Sequence, residues 1–157
     1  MEAANIISYS KDIYNGARKY PFQMPLTIGT GAIGRVIATG PDAILVAPGQ
    51  LVFIDCFIKG RDNPGAAFLA GIHEGDTDGS RKLMRGEWRD ATYAEYAKMP
   101  LENLHPLNES LLGGKWGYGV EELQDISRSV NLVSFHPTPA EYRARARDSS
   151  SSLFKLR

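Results

Sequence analysis

Apolar and polar positions change rhythm several times along the chain, and each rhythm predicts a different element. Asn5-Ile6-Ile7-Ser8 is a short extended start, and the polar, tyrosine-bearing stretch that follows runs to Gly16, which predicts one strand and one turn of helix. Between residues 24 and 57 come three aliphatic and β-branched runs: Met24-Pro25-Leu26-Thr27-Ile28-Gly29, Arg35-Val36-Ile37-Ala38-Thr39-Gly40 and Gln50-Leu51-Val52-Phe53-Ile54-Asp55-Cys56-Phe57. Gly-Pro-Asp and Pro-Gly turn signals separate them, and no helical segment of crossover length lies between, so the predicted pairing is antiparallel. Residues 59–90 turn to glycine, charge and small side chains, which predicts a long surface excursion with one short helix near residues 66–70. The run Thr92-Tyr93-Ala94-Glu95-Tyr96-Ala97-Lys98 alternates in period two and stops at Met99-Pro100, the pattern of a further strand. Residues 120–130 read as helix, with Val120, Leu123, Ile126 and Ser127 along one side. Beyond them Arg143-Ala144-Arg145-Ala146-Arg147 and the serines from Ser149 to Ser152 hold little apolar surface to bury, and disorder is expected. The fold class that results is mainly β with short helices, a barrel or sandwich rather than a βαβ unit.

Composition narrows this picture. The 157 residues give room for one ordinary domain, and 16 glycines with 9 prolines suit a turn-rich β fold better than a helical bundle. Eighteen basic and 18 acidic residues cancel, so no global field draws the chain to nucleic acid or to an anionic membrane surface. Cys56 stands alone, which excludes a disulfide framework and a cysteine-rich structural zinc lobe. Met1-Glu2-Ala3-Ala4 lacks a basic leader followed by an apolar core, and no apolar run has membrane-spanning length, so a soluble, cytoplasmic protein is expected.

One motif invites a nucleotide reading. Gly29-Thr30-Gly31-Ala32-Ile33-Gly34 has the G-x-G-x-x-G spacing, and Asp55 follows at roughly the distance of a ribose-binding acid. Pyrophosphate binding, however, needs a helix N-terminus directly after the glycines. Here Arg35-Val36-Ile37-Ala38-Thr39 is β-branched and ends at Gly40-Pro41, so the sequence predicts a glycine-rich bend in a strand and no complete Rossmann domain.

The same stretch resembles the catalytic domain of the medium-chain dehydrogenase/reductase family, the zinc-type alcohol dehydrogenase-like superfamily, whose barrel is GroES-like. That family carries G-H-E-x-x-G-x-V-x-x-x-G and then P-G-D-x-V; this chain has the run from Gly29 through Gly34, Val36 and Gly40, then Pro48-Gly49-Gln50-Leu51-Val52. Upstream, Tyr9-Ser10-Lys11-Asp12 leading to Gly16 stands where the family shows C-x-x-D and a glycine, and downstream Gly86-Glu87-Trp88 through Tyr96 is similar to a barrel-edge strand. The resemblance covers residues 6–107. It implies a partly open GroES-like β-barrel over residues 1–110, a connector over 111–130 leading toward a nucleotide-binding domain that does not follow, and an irregular tail over 131–157. Both ends then read as truncated.

The resemblance also implies which chemistry survives. The places of the family's zinc ligands fall at Tyr9, Thr30 and Gly31, so no catalytic zinc is expected and no metal ligand is assigned. Tyr9, Ser10 and Thr30 are the candidate catalytic residues on the substrate side, either as a proton donor or, for Tyr9 and Thr30, as filling for the space zinc would occupy. Asp12 is expected to cap the following turn, and Cys56 to be a buried apolar thiol. His73 reads as a solvated loop residue, His105 as structural, and His136 falls in the tail.

A complete member of this branch would use NAD(P)H to reduce a carbonyl or enone, or to oxidise an alcohol, on a small or polyketide-like compound of the kind met in secondary metabolism. No residue here is assigned to cofactor binding, and the chain alone is expected to bind none and to be inactive. The expected partners are the small carbonyl or alcohol substrate and a missing domain or second copy, because unpaired strand edges and an apolar interdomain face favour association; no nucleic acid or membrane partner is expected. The alternative is a non-catalytic GroES-like binding or interaction module, or a pseudoenzyme fragment.

Overall fold

The computed structural model describes residues 1–126, and the tail expectation over 131–157, with His136, lies outside them. Two antiparallel sheets carry the fold. In the first, β1 (Ala3–Ala4), β2 (Ala32–Arg35), β3 (Leu51–Ile54) and β6 (Leu104–Pro106) lie in that order; in the second, β4 (Phe57–Lys59) pairs with β5 (Ala67–Leu69). Both sheets are open and do not close into a barrel, and the helices α1 (Ser10–Tyr14) and α2 (Asp78–Arg85) are short. Among the described residues no helix is long and apolar enough to cross a membrane.

The central hairpin follows from the β-branched runs, with its register moved. Ile33 faces Phe53 and Ala32 faces Ile54, so the strand begins inside the glycine run, three residues before the expected start at Arg35. Pairing reaches Val36, whose N–H donates to the Gln50 carbonyl at 3.0 Å, and then stops; Ile37 is 66% exposed. Gly34 can sit in the strand because it has no side chain: a Cβ there would lie 3.1 Å from the Met1 sulfur and 3.3 Å from Ile54 Cδ1.

The expected run over residues 50–57 breaks at Asp55. The Asp55 N–H donates to the Asn103 carbonyl at 2.9 Å, its Oδ1 accepts from Phe57 N–H at 2.9 Å, and the buried Asn103 amide donates to the Asp55 and Phe57 carbonyls at 3.0 and 2.9 Å. This network satisfies the backbone at the break, turns the chain from the first sheet into the second, and ties both to β6.

Four expectations are corrected. Residues 66–70 carry β5 (Ala67–Leu69), not a helix: Ala66, Phe68 and Ala70 are buried while Ala67 and Leu69 are half-buried, a period-two pattern set by pairing with β4. The surface excursion holds α2 instead, fixed by a reciprocal cap in which Ser80 N–H donates to Thr77 Oγ1 at 3.1 Å and Thr77 N–H donates to Ser80 Oγ at 3.2 Å. Residues 24–29 and 92–98 are not ladder strands. They run side by side through Ala91 N–H to Thr27 O at 2.9 Å, Tyr93 N–H to Ile28 O at 3.0 Å and Thr27 N–H to the Asp90 carboxylate at 2.7 Å, so side chains interrupt the ladder that the alternation suggested. Residues 120–126 are helical as expected, with Leu123 buried against Ile33, Leu51 and Phe53, while Ile126 is 45% exposed instead of facing inward.

The tightest approach joins these segments. A Cβ on Gly29 would lie 2.3 Å from the Thr92 nitrogen, and one on Gly71, at φ +71°, 2.6 Å from the Gly29 nitrogen and 2.7 Å from Ala91 Cβ. Gly71→Ala is therefore expected to leave the chain unfolded or to cost more than about 3 kcal/mol, since strain at positive φ adds to an overlap that backbone cannot relieve. Gly49→Ala, at φ +88° with nothing within 4 Å, carries the backbone strain alone and is expected to cost about 1–2 kcal/mol. Urea unfolding of the two variants separates the two effects.

Candidate substrate-side site

Tyr9 and Ser10 open α1, a helix too short to stand without tertiary support and lacking a side-chain cap at its start. Tyr9 is 37% exposed, and the Arg18 guanidinium lies over its ring, 4.4 Å from the centroid. Ser10 is buried at 8% exposure, and its Oγ has no hydrogen-bond partner. Asp12 does not cap the turn after the helix: Asn15 does, its Oδ1 accepting from Ala17 N–H at 2.9 Å, while Asp12 offers only its backbone carbonyl to Arg18 N–H at 2.6 Å.

Thr30 sits apart from those two. It is buried, its hydroxyl donates to the Asn5 carbonyl at 2.6 Å, and its backbone exchanges bonds with one side chain: Thr30 N–H donates to Thr92 Oγ1 at 3.1 Å and Thr92 Oγ1 donates to the Thr30 carbonyl at 2.5 Å. The Tyr93 hydroxyl lies 3.5 Å from Thr30 Oγ1 and also donates to the Asn5 carbonyl. Gln124 joins from the helix at residues 120–126, its Nε2 donating to the Gly31 carbonyl at 3.3 Å while its own carbonyl accepts from the Asn5 amide at 3.1 Å. Among the described residues no hydrogen bond joins Tyr9 or Ser10 to Thr30. The three candidates thus fall into two places, and the cluster around Thr30 draws in Asn5, Thr92, Tyr93 and Gln124, which sequence reasoning did not assign. The alternation around Tyr93 hinted at one inward face there and nothing more.

Two neutral acids flank the cluster. The Tyr14 hydroxyl donates to the Gly71 carbonyl at 2.8 Å, and burial, reinforced by nearby Tyr93, pushes its phenol up to about 12. Burial, then the neighbouring Asp55, pushes the Cys56 thiol up to about 12 as well, which agrees with the reading of an unreactive apolar cysteine. Burial likewise raises Asp55 from its ordinary value, against the opposing donation from Phe57 N–H.

The residues do not fit a catalytic zinc. Thr30 has committed its hydroxyl to a carbonyl, Gly31 has no side chain, and among the described residues no three His, Cys, Asp or Glu side chains gather as a metal cluster. His73 is not a solvated loop residue: it is half-buried, its Nδ1 accepts from Gly75 N–H at 2.9 Å, and its ring meets Tyr20 edge-on at 5.2 Å. Its neighbour Glu74 is buried and paired with Arg85 of α2 through two bonds of 3.0 Å, a structural ion pair. His105 is stacked on Phe53 at 5.6 Å, in keeping with a structural role. The glycine run offers no cradle for a pyrophosphate either: it enters β2 and not a helix, and Gly29 is closed over by Thr92.

The glycine-rich strand and the Pro-Gly turn build one hairpin of a two-sheet antiparallel β framework, the arrangement of a GroES-like domain. The family model for the alcohol dehydrogenase GroES-like domain matches residues 2–109. The chain belongs to that family. Searches of curated proteins and of solved structures return no match.

Two outcomes follow from this geometry. Thr30→Val keeps the shape and removes the donation to Asn5, and it is expected to lower stability by about 1 kcal/mol in urea unfolding, since Tyr93 still serves that carbonyl. The pH response carries a definite sign. In the unfolded chain the thiol and phenol titrate near their ordinary values of 9.0 and 10.0, whereas in the fold both hold their protons to about 12. The unfolded state therefore binds fewer protons across that window, and stability is flat through neutral pH and falls as pH rises above about 9. Urea midpoints measured from pH 7 to pH 10.5 are expected to fall less steeply for Cys56→Ala than for the parent.

Proposed function

We propose that this domain is the substrate side of an alcohol dehydrogenase-like oxidoreductase that works without catalytic zinc, on a small carbonyl or alcohol compound with a nicotinamide cofactor held elsewhere than by the described residues. The observation that carries the reading is the family match over residues 2–109, supported by Tyr9, Thr30 and Gly31 standing where the resemblance puts the family's cysteine, histidine and glutamate. Within it the two places of the site divide the work. Tyr9 is the exposed hydroxyl and the residue able to reach a substrate oxygen; Ser10 carries the unpaired hydroxyl beside it. Thr30, with its proton committed to Asn5, is a positioning residue that holds the glycine-rich strand against residues 91–93.

A second reading has its own support. Thr30 and Tyr93 both spend their hydroxyls on one backbone carbonyl, and Tyr14 spends its own on another, which is how a structural latch is built. This favours a non-catalytic GroES-like binding module.

The two are separated by supplying what the domain lacks. The purified chain, shown to be folded by circular dichroism, is expected to give no saturable change in NADPH or NADH fluorescence and to carry no stoichiometric zinc by metal analysis. Turnover of a carbonyl panel is expected once a nucleotide-binding domain of the family is fused or added, and Tyr9→Phe lowers it about tenfold or more. Saturable nicotinamide binding by the chain alone overturns the assignment of the cofactor elsewhere; absence of turnover in the fused form selects the binding module.

A further inference from the structure

Six arginines lie among the described residues, and five of them face a carboxylate: Arg35 meets Glu2 and Glu109, Arg61 meets Glu102, Arg81 meets Asp78 and Glu74, Arg85 meets Glu74, and Arg89 meets Asp90. Arg18 is the exception. Its guanidinium lies 4.4 Å from the Tyr9 ring centroid and 6.0 Å from that of Tyr20, held by aromatic faces rather than by an ion pair. An arginine placed in this way is fixed in direction and keeps its charge uncompensated by any paired acid.

What it overlooks is a groove of about 750 Å³, a volume in the range of small-molecule sites. Arg18, Lys19 and Tyr20 stand on its wall, and Ile13, Tyr14, Phe22, Met24 and Ile28 supply its apolar surface. Tyr14 and Phe22 meet edge-to-face at 6.1 Å, and Tyr20 is braced by the His73 ring, so the aromatic walls are held in place by neighbours and need no reordering to receive a flat ligand. Lys19 forms no ion pair among the described residues. The Tyr20 hydroxyl acts on Arg18 first, and Asp12 only at a distance, without forming an ion pair.

The geometry points to a binding site for an aromatic or otherwise flat apolar compound that carries a carboxylate: the body lies against Phe22, Met24 and Ile28, and the carboxylate pairs with the planar fork of Arg18, with Lys19 adding a second positive charge. A neutral ligand of the same shape leaves the guanidinium unmatched, and a cationic one meets two like charges. The site goes beyond the oxidoreductase reading and does not rest on it, because its occupancy needs neither cofactor nor turnover.

The test uses the full chain, labelled with ¹⁵N, and two probes of equal shape, 2-naphthoate and 2-naphthalenemethanol. The carboxylate is expected to bind saturably, with Kd below about 1 mM, and to shift amide signals confined to residues 13–28. The alcohol is expected to bind about tenfold more weakly, the loss of one charge-assisted hydrogen bond. Arg18→Gln, an exposed position whose melting temperature checks the fold, is expected to remove the preference between the two probes. Equal binding of both probes to the parent chain overturns the proposal without reference to any variant. So do absence of binding in a folded sample, shifts scattered over the surface, and an unchanged preference in Arg18→Gln. Because no nicotinamide is present, failure here leaves the oxidoreductase reading untouched, and failure of that reading leaves this one standing.

Discussion

The fold depends on one crossing of three backbones that leaves no room for a Cβ. Residues 27–30, the turn at Gly71 and residues 91–93 meet at distances only glycine and alanine allow, with Gly29 against the Thr92 nitrogen and Gly71 against Gly29. Close packing of this kind turns local choices into global ones, since an interior near crystal density cannot absorb an extra methyl group by shifting one side chain. From this crossing the placement of the rest follows. Thr92 bonds the Thr30 backbone in both directions, Thr30 and Tyr93 converge on Asn5, and Asn5 in turn holds Gln124, so the start of the chain, the glycine run and the helix at residues 120–126 share one polar knot. The Asp55–Asn103 network does the corresponding work where one sheet passes into the other.

That knot also explains the division of the site. Thr30 spends its hydroxyl on the Asn5 carbonyl and Tyr14 spends its own on the Gly71 carbonyl, so both are committed to holding backbone in place. The groups around α1 differ: the Tyr9 ring and the Arg18 guanidinium are exposed, while the Ser10 hydroxyl is buried without a partner.

Much of this was legible in the sequence. The glycine run was readable as a strand because Val36, Ile37 and Thr39 disfavour a helix and Gly40-Pro41 stops one, and the order of the glycines with Pro48-Gly49 identified the family. Strand β5 was not, because Ala66-Ala67-Phe68-Leu69-Ala70 has weak β propensity and is held in its strand by β4, a tertiary effect. Helix α2 was missed although its cap, Thr77 with Ser80, was on view, because Asp78-Gly79-Ser80-Arg81-Lys82 offers too few apolar positions to show a period. The alternation at residues 92–98 suggested a ladder strand, but the ladder was taken over by Thr92 and Asp90 side chains, which no pattern of hydrophobicity encodes. Arg18 could be seen; that it lacked an acid could not, since pairing is decided by elements far apart in the chain.

The strand order β1-β2-β3-β6 sets a schedule as well as a shape. The hairpins β2–β3 and β4–β5 close short loops and form from neighbouring residues, while the outer strands of the larger sheet come from opposite ends of the domain: β1 from residue 3 and β6 from residue 104. Loop-closure entropy delays such distant pairings until local ones exist. During synthesis β1 is already present when the central hairpin forms, so the β3 edge alone stays open until residues 104–106 have left the ribosome. Until then the β3 edge is open to edge-to-edge association, and the two- and three-residue outer strands serve as end-stops that close the sheet to further growth.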